Sequence, residues 1–260
     1  MAAKVITFGL QKGGCSKSTS SGITAYLLSQ EYKVLVCDLD SQGNITELLT
    51  GQDIYDFTGR TILEAMKDEG ASAAEIKEKY VHKINDKLDI MTAEDFLATF
   101  PRYVYREYKG NKPSLIFSQM IDKVKDDYDF VIVDTCPALG DATINALGAS
   151  DAVVIMFEPS KFCYSAIPRF IETVGHVQEL VNPGLKIAGI LQTIIDARRT
   201  DAKVLMQMLK EEYGDLLFDT IIQRKAPTGR VSIQGFESNP ELEQAIQPYR
   251  DFVKELIARV

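Results

Sequence analysis

The sequence predicts an α/β fold, a mostly parallel twisted sheet with helices on both of its faces. Short, nearly continuous apolar runs such as "KVLVCD", "DFVIVD" and "DAVVIMF" are typical of strands that are covered on both sides. Longer segments with helical periodicity alternate with these runs, and this alternation favours parallel βαβ units. The 260 residues contain no internal repeat and no linker-like tract, which indicates a single domain over residues 1–260.

Seven strands are predicted, and helical patterns fill most of the sequence between them. The strands are expected near 4–9, 33–38, 87–92, 129–134, 151–157, 185–193 and 218–222. The helices are expected near 17–30, 61–80, 114–126, 161–181, 201–213 and 241–259. The segment 51–113 is the least regular part, and we expect it to form helices and loops at one edge or end of the sheet.

Composition excludes several classes of protein. No run of about 18 apolar residues occurs, so no membrane span is predicted. The first residues lack the pattern of a signal peptide. Four cysteines are far apart, without a C-x-x-C pair or a metal-binding spacing, which indicates reduced thiols in a cytoplasmic protein. The formal net charge of −8 argues against a chain that coats nucleic acid with its whole surface, but it allows a local basic patch.

The segment "KGGCSKST" lies between the first predicted strand and the first predicted helix, which is the context of a phosphate-binding loop. Gly13 and Gly14 allow backbone N–H groups to approach phosphate oxygens. Lys17 lies at the start of the helix, where the helix dipole also favours anions. Ser18 is predicted to bind Mg²⁺ through its hydroxyl, and Thr19 to contact the α-phosphate. The alternative is a strand–helix turn that binds no ligand.

This loop departs from the usual G-x-x-x-x-G-K-[ST] pattern in two ways. Gln11 and Ser16 occupy the positions of the two glycines. An additional lysine, Lys12, precedes the glycine pair. Two lysines in one short loop favour a ligand that carries several negative charges.

Carboxylates end two of the other predicted strands. Asp38 and Asp40 lie two residues apart in "VLVCDLDSQGN", and Asp134 ends "DFVIVD". Because ligands bind at the carboxyl ends of parallel strands, we expect all three carboxylates near the phosphate-binding loop. Such carboxylates hold Mg²⁺ directly or through water, or they orient an attacking water molecule. A solvated acidic turn is the alternative for Asp38 and Asp40.

These three segments resemble the deviant Walker A, Walker A′ and Walker B motifs of the ParA/Soj/MinD ATPases. The resemblance is greatest to ParA-type DNA-partitioning ATPases, in which D-x-D-P-Q-G-N is characteristic. It continues through "TINALGASDAVVI", "GILQTIIDARRT" and "FDTIIQR", and so runs from about residue 4 to 258. It implies a P-loop NTPase fold of the deviant Walker A type, with ATP and Mg²⁺ as cofactors. Ser16 and Ser41 replace the glycine and proline that are usual in the family, and we expect Ser16 to leave nucleotide binding intact and to affect hydrolysis.

The resemblance also implies roles for single residues. Lys12, Lys17 and Asp40 are the predicted catalytic residues, with Lys12 reaching the ATP of a partner chain and Asp40 positioning the attacking water. The predicted metal site consists of Ser18, Asp38 and Asp134. The predicted nucleotide-binding residues are Lys12, Gly13, Gly14, Cys15, Ser16, Lys17, Ser18, Thr19, Ile222 and Arg224.

ParA-type proteins bind DNA without sequence preference after ATP has joined them into dimers. Residues 196–230 carry a net charge of +1, in contrast to −8 for the whole chain. Phosphate contacts by lysine and arginine need no sequence readout. The predicted DNA contacts are Arg198, Arg199, Lys203, Arg224, Lys225 and Arg230. The alternative is a solvated surface on which opposite charges are paired.

The resemblance implies partners as well. We expect a homodimer on ATP binding, non-specific DNA, and a ParB-like centromere-binding protein that stimulates weak hydrolysis. Little sequence precedes Lys4, so we expect the short ParA type that has no N-terminal helix-turn-helix domain. The expected location is cytoplasmic and nucleoid-associated, without a membrane contact.

Three alternatives stay open at this point. A MinD-like membrane ATPase would use the apolar stripe of the last predicted helix, formed by Tyr249, Phe252, Val253, Leu256 and Ile257. A relative of the nitrogenase iron protein would need a second cysteine to act with Cys136. A pseudo-ATPase that uses nucleotide only as a dimerisation switch would account for Ser16.

Overall fold

The structure, a computed structural model, describes residues 3–195, 200–223 and 240–260. Its eight-stranded sheet has the order β3-β4-β2-β5-β1-β6-β7-β8, and only the β3–β4 pair is antiparallel. The strands are β1 (Lys4–Gly9), β2 (Val34–Leu39), β3 (His82–Lys83), β4 (Leu88–Met91), β5 (Phe130–Thr135), β6 (Ala152–Phe157), β7 (Lys186–Ile195) and β8 (Leu217–Gln223). The predicted mostly parallel α/β fold is confirmed.

Helices cover both faces of this sheet. They are α1 (Lys17–Leu28), α2 (Asn44–Thr50), α3 (Ile62–Lys67), α4 (Ala73–Tyr80), α5 (Phe100–Arg106), α6 (Ile116–Ile121), α7 (Asp141–Ala149), α8 (Lys161–Leu180), α9 (Thr200–Tyr213) and α10 (Pro240–Arg259). Every residue of β2, β5 and β6 is buried. Successive side chains of a strand point to opposite faces, and β2 and β5 each contribute to two hydrophobic cores. On β2, Val34 and Val36 belong to one core, whereas Leu35 and Cys37 belong to the other.

The seven predicted strands are present, but several helices differ from the sequence prediction. The single helix expected at 61–80 is wrong, because α3 ends at Lys67 and α4 begins at Ala73. Both helices start with a capping box, Thr61 with Glu64 and Ser72 with Glu75. The capping box of Ser72 and Glu75 is a strong signal for the start of a helix. Because it lies inside the segment 61–80, this segment forms two helices and not one. The helices α2, α5 and α7 were not predicted, and neither was the two-residue strand β3.

The apolar stripe of α10 faces the interior of the protein. Tyr249, Phe252, Val253 and Leu256 are buried, and α10 packs against α1 and β8. The Phe252 ring makes edge contacts with Phe8 and Phe218. In the described part of the chain, no helix is long and apolar enough to cross a membrane. Four of the five residues of the stripe on which the MinD-like alternative depends therefore pack in the protein's own core, whereas Ile257 is exposed.

Candidate functional site

The three motifs meet at the carboxyl edge of the sheet. Strand β5 lies between β1 and β2, and the parallel register pairs Asp134 with Phe8 on one side and with Asp38 on the other. The loops after β1, β2 and β5 therefore border one cavity of about 450 Å³. It is lined by Gly13, Gly14, Ser16, Lys17, Ser18, Thr19, Asp40, Gln42, Asn44, Glu47, Leu48 and Pro137.

Lys17 is held by its own loop. Its side chain is buried, and its Nζ donates to the Lys12 carbonyl over 3.0 Å and lies 3.9 Å from the Cys15 Sγ. The Cys15 thiol donates to the same carbonyl over 3.1 Å. Burial raises the pKa of Cys15 to about 11, so the thiol keeps its proton at neutral pH. These contacts place the ammonium group of Lys17 inside the loop, where an anion can compete with the carbonyl for it.

Gly13 and Gly14 leave space for a ligand where the loop borders the cavity. No atom lies within 4 Å of the position that a Cβ would take on Gly13 or Gly14, and both residues are exposed. Gly14 has a φ of +79°, which glycine adopts at little cost. Backbone N–H groups in such a loop are accessible to phosphate oxygens.

Ser16 has a left-handed backbone, with φ 58° and ψ 29°. Among the described residues it is the only one other than glycine with a positive φ. The conformation explains why glycine is usual at this position. For an L-residue it costs about 1–2 kcal/mol. Ser16 thus adopts a backbone conformation that suits glycine, and its effect on hydrolysis stays a prediction.

Replacing Ser16 with glycine is expected to raise the free energy of unfolding by about 0.5–1 kcal/mol, since relief of the left-handed strain exceeds the added entropy of the unfolded chain. Urea denaturation without nucleotide measures this change. Ser165→Gly, at an exposed helical position in α8, is the control and is expected to lower the free energy of unfolding by about 1 kcal/mol. Equal destabilisation by both variants would contradict the strain at Ser16.

Asp134 carries an unsatisfied oxygen. Its carboxylate is fully buried; Oδ1 accepts from the Ser21 hydroxyl over 3.2 Å, and Oδ2 has no hydrogen-bond partner. Burial raises the pKa of Asp134 to about 7, although the nearby Ser18 side chain and the charge of Lys17 act in the opposite direction. A buried carboxylate oxygen without a partner is unfavourable unless a donor or cation reaches it.

The residues around Asp134 fit a hydrated magnesium ion. Mg²⁺ prefers oxygen ligands and retains several waters, so it needs only one or two protein groups in addition to phosphates. Asp134 and Ser18 supply a carboxylate and a hydroxyl. Within the described ranges no group of three or more His, Cys, Asp or Glu side chains forms a metal cage. The arrangement therefore suits a cation that binds together with a nucleotide.

Asp38 and Asp40 have different environments. Both oxygens of the buried Asp38 accept hydrogen bonds, Oδ1 from the Asp40 N–H and Oδ2 from the Thr46 hydroxyl and N–H. Burial and the neighbouring Asp134 hold the pKa of Asp38 well above its usual range. Asp40 borders the cavity, and its Oδ1 accepts from the Gln42 N–H over 3.1 Å. Asp40 thus faces the cavity, whereas Asp38 is enclosed by the chain; a role for Asp38 in metal binding stays a prediction.

Several cavity residues were not predicted. Gln42 precedes α2, and Asn44, Glu47 and Leu48 belong to it. The segment "GNITELL" has an apolar pattern at helical spacing, and this pattern was the signal for α2. Thr46 was missed as well, because its contact with Asp38 depends on how α2 packs against the sheet.

The remaining predicted residues lie away from the cavity or outside the described residues. Ile222 is buried in β8, the edge strand, and does not line the cavity. Lys203 is exposed on α9. The structure does not describe Arg198, Arg199, Arg224, Lys225 and Arg230.

The four cysteines do not support the nitrogenase-like alternative. Cys136 is half-buried after β5, and its Sγ lies near the Ala138 carbonyl and the Thr143 hydroxyl. Cys15, Cys37 and Cys163 are buried. A cluster shared across a dimer axis needs two accessible thiols from each chain, and this chain offers one at most.

Comparison with known proteins shows the family to which the chain belongs. A family model described as an AAA domain matches residues 3–187. The chromosome-partitioning ATPase Soj of Treponema pallidum is 28% identical over 266 residues, with coverage of 98% of this chain and 98% of the relative. A plasmid partition protein from Borrelia burgdorferi bound to AMPPNP has a TM-score of 0.79 at 25% identity, and the match covers 99% of this chain and 100% of that chain.

A further solved structure contains both predicted cofactors in a related fold. Cobyrinic acid a,c-diamide synthase from Mycobacterium smegmatis, with a bound ATP analogue and magnesium, has a TM-score of 0.80 at 25% identity, and the match covers 98% of this chain and 94% of that chain. ATP and Mg²⁺ are therefore the cofactors that the cavity, the two loop lysines and Asp134 accommodate. The motifs, the fold and these relatives together show that the chain belongs to the ParA/Soj-type ATPases of the deviant Walker A class.

Proposed function

We propose that this protein is an ATP-dependent partitioning protein for plasmid or chromosome segregation. ATP binding drives formation of a nucleotide sandwich dimer, and the dimer binds DNA without sequence preference. A ParB-like centromere-binding partner stimulates hydrolysis and thereby releases the protein from the nucleoid. The observation that carries the proposal is the cavity in which a phosphate loop with two lysines faces the carboxylate of Asp40.

The residues of the cavity divide the chemistry among them. Lys17 exchanges its bond to the Lys12 carbonyl for the β- and γ-phosphates, while Ser18 and Asp134 hold the cation. Bound Mg²⁺ neutralises charge on the phosphates and on the leaving group. Asp40 accepts a hydrogen bond from the attacking water and orients it. Backbone contacts hold the side chains of Lys17 and Asp40 before nucleotide binds, which lowers the cost of arranging them.

The position of Lys12 is evidence in favour of the proposed dimer. Lys12 precedes the glycine pair at the rim of the loop and is half-buried, whereas Lys17 is buried within it. One lysine therefore suffices for the phosphates of the same chain, and Lys12 is available to those of a second copy. Charge that develops on the transferring phosphoryl group gives such a cation its effect on the rate.

DNA binding is expected to depend on nucleotide and on salt. Fluorescence anisotropy with two unrelated duplexes of equal length tests this, with ATP, ADP or no nucleotide, between about 50 and 200 mM salt. We expect binding with ATP only, equal for both duplexes, and weakened steeply by salt because each phosphate contact releases counterions. Lys17→Ala is the control and is expected to abolish binding.

The opposite outcomes are equally informative. Binding that is the same in all nucleotide states would contradict a nucleotide-driven DNA switch. Absence of binding in every state would direct the search to a membrane or protein target, and co-sedimentation with liposomes would follow. Turnover that a cognate centromere-binding partner leaves unchanged in the presence of DNA would contradict the proposed stimulation.

A further inference from the structure

Thr46 lies in the first turn of α2, fully buried beside the acidic loop that follows β2. Its hydroxyl donates to the Asp38 Oδ2 over 2.7 Å, and its N–H donates to the same oxygen over 3.2 Å. The hydroxyl in turn accepts from the Ala93 N–H over 3.0 Å. One small side chain therefore connects Asp38 at the end of β2 to the segment that follows β4.

Asp38 extends this connection to the loop that carries Asp40. Asp38 Oδ1 accepts from the Asp40 N–H over 3.0 Å, and the Asp40 carbonyl accepts from the Gly43 N–H over 3.0 Å. Gly43 has a φ of +59°, and a Cβ on it would lie 3.1 Å from the Ala93 carbonyl oxygen. The Asp40 end of the loop is thus linked through Asp38 and Thr46 to the Ala93 N–H, and the Gly43 end lies close to the same residue.

We infer that Thr46 is a positioning residue for Asp40, which it holds in place through Asp38. Thr46 does not line the nucleotide cavity, so it contributes to hydrolysis without touching the nucleotide. Loss of its hydroxyl leaves the buried Ala93 N–H without an acceptor and removes the shortest hydrogen bond to Asp38. The loop then shifts to satisfy these groups, and Asp40 moves with it. The inference rests on the proposed hydrolysis of ATP.

Three variants test this role. Thr46→Val keeps the shape and removes the hydroxyl, whereas Thr46→Ser keeps the hydroxyl. Thr50→Val makes the same chemical change one turn later in α2, where the hydroxyl donates to the Thr46 carbonyl. We expect Thr46→Val to lower the turnover number about 10-fold to 100-fold, since a displacement of about 1 Å has effects of this size. Nucleotide affinity is expected to change less than about threefold, and Thr46→Ser and Thr50→Val to stay near the wild type.

A double-mutant cycle shows whether the effect passes through Asp38. Thr46→Val is expected to have little further effect on turnover in an Asp38→Asn background, because the two residues act as one unit. Additive effects would overturn the inference, as would unchanged turnover in Thr46→Val or an equal loss of nucleotide affinity. If Thr46→Val does not fold, Thr46→Ser becomes the variant that tests the inference. A folded Thr46→Ser protein that has lost turnover would also overturn the inference.

Hydrogen exchange separates this inference from the proposed function. Amides of residues 39–44 are expected to exchange at least about 10-fold faster in Thr46→Val than in the wild type or in Thr50→Val, whether or not ATP is hydrolysed. Unchanged exchange would overturn the positioning role. Absence of turnover in the wild-type protein would instead count against the proposed function and leave the exchange result to decide the role of Thr46.

Discussion

Replacing Asp40 with asparagine is expected to lower ATP turnover by about 100-fold or more, because the amide is a far weaker acceptor for the attacking water. Of the two carboxylates that line the cavity, Asp40 and Glu47, Asp40 is the buried one, and the Gln42 N–H fixes its orientation. Nucleotide affinity is expected to change by less than about threefold, since the residue acts on the water rather than on the phosphates. Phosphate release under steady-state conditions, together with titration of a fluorescent ATP analogue, measures both quantities.

Asp56→Asn is the matched control for this substitution. Asp56 is exposed in the short helical turn Ile54–Phe57, away from the cavity, and its replacement is expected to leave turnover unchanged. An Asp40→Asn protein with wild-type turnover would show that another group orients the water. A loss of affinity as large as the loss of turnover would instead place Asp40 in nucleotide binding.

The two loop lysines are expected to have separable effects. Lys17→Ala should weaken ATP binding by about 100-fold or more, because a charge-assisted contact with phosphate is lost inside a buried loop. Lys12→Ala should leave ATP affinity of the single chain within about threefold, weaken ATP-dependent dimerisation and abolish turnover. Calorimetric titration with AMPPNP measures the affinity, and sedimentation velocity with the same nucleotide measures the dimer.

Lys33→Ala provides a control for both, since Lys33 is exposed before β2 at the opposite edge of the sheet. Equal losses of affinity in Lys12→Ala and Lys17→Ala would mean that both lysines bind the nucleotide of their own chain. In that case Lys12 would act within its own chain, and the proposed dimer would lose the main observation that supports it.

The strands, and the edge of the sheet at which the candidate site lies, were predictable because they depend on local patterns. A fully buried parallel strand is an almost unbroken apolar run, and β2, β5 and β6 show this. Ligand chemistry at the carboxyl ends of such strands follows from the topology alone. The phosphate loop, Asp40 and Asp134 were located in this way, and they meet at one edge as expected.

The missed features depend on contacts between distant parts of the chain. Helix α7 begins directly after the loop at Gly140, and its short segment "DATINALGA" carries a weak periodic signal. Its buried Asn145 is satisfied by the Pro113 carbonyl and the Phe117 N–H, which no local pattern indicates. The left-handed backbone of Ser16 was hidden for a similar reason, because serine gives no signal for a positive φ.

Mixing two inactive variants tests the central claim, a dimer in which Lys12 of one chain completes the site of the other. Lys12→Ala retains Asp40, and Asp40→Asn retains Lys12, so a mixed dimer contains one complete site. At protein concentrations high enough to keep both variants dimeric, an equimolar mixture is expected to recover about a quarter of wild-type turnover, since about half of the dimers are mixed and each has one of its two symmetric sites restored. Turnover no higher than the mean of the separate variants would contradict the shared site.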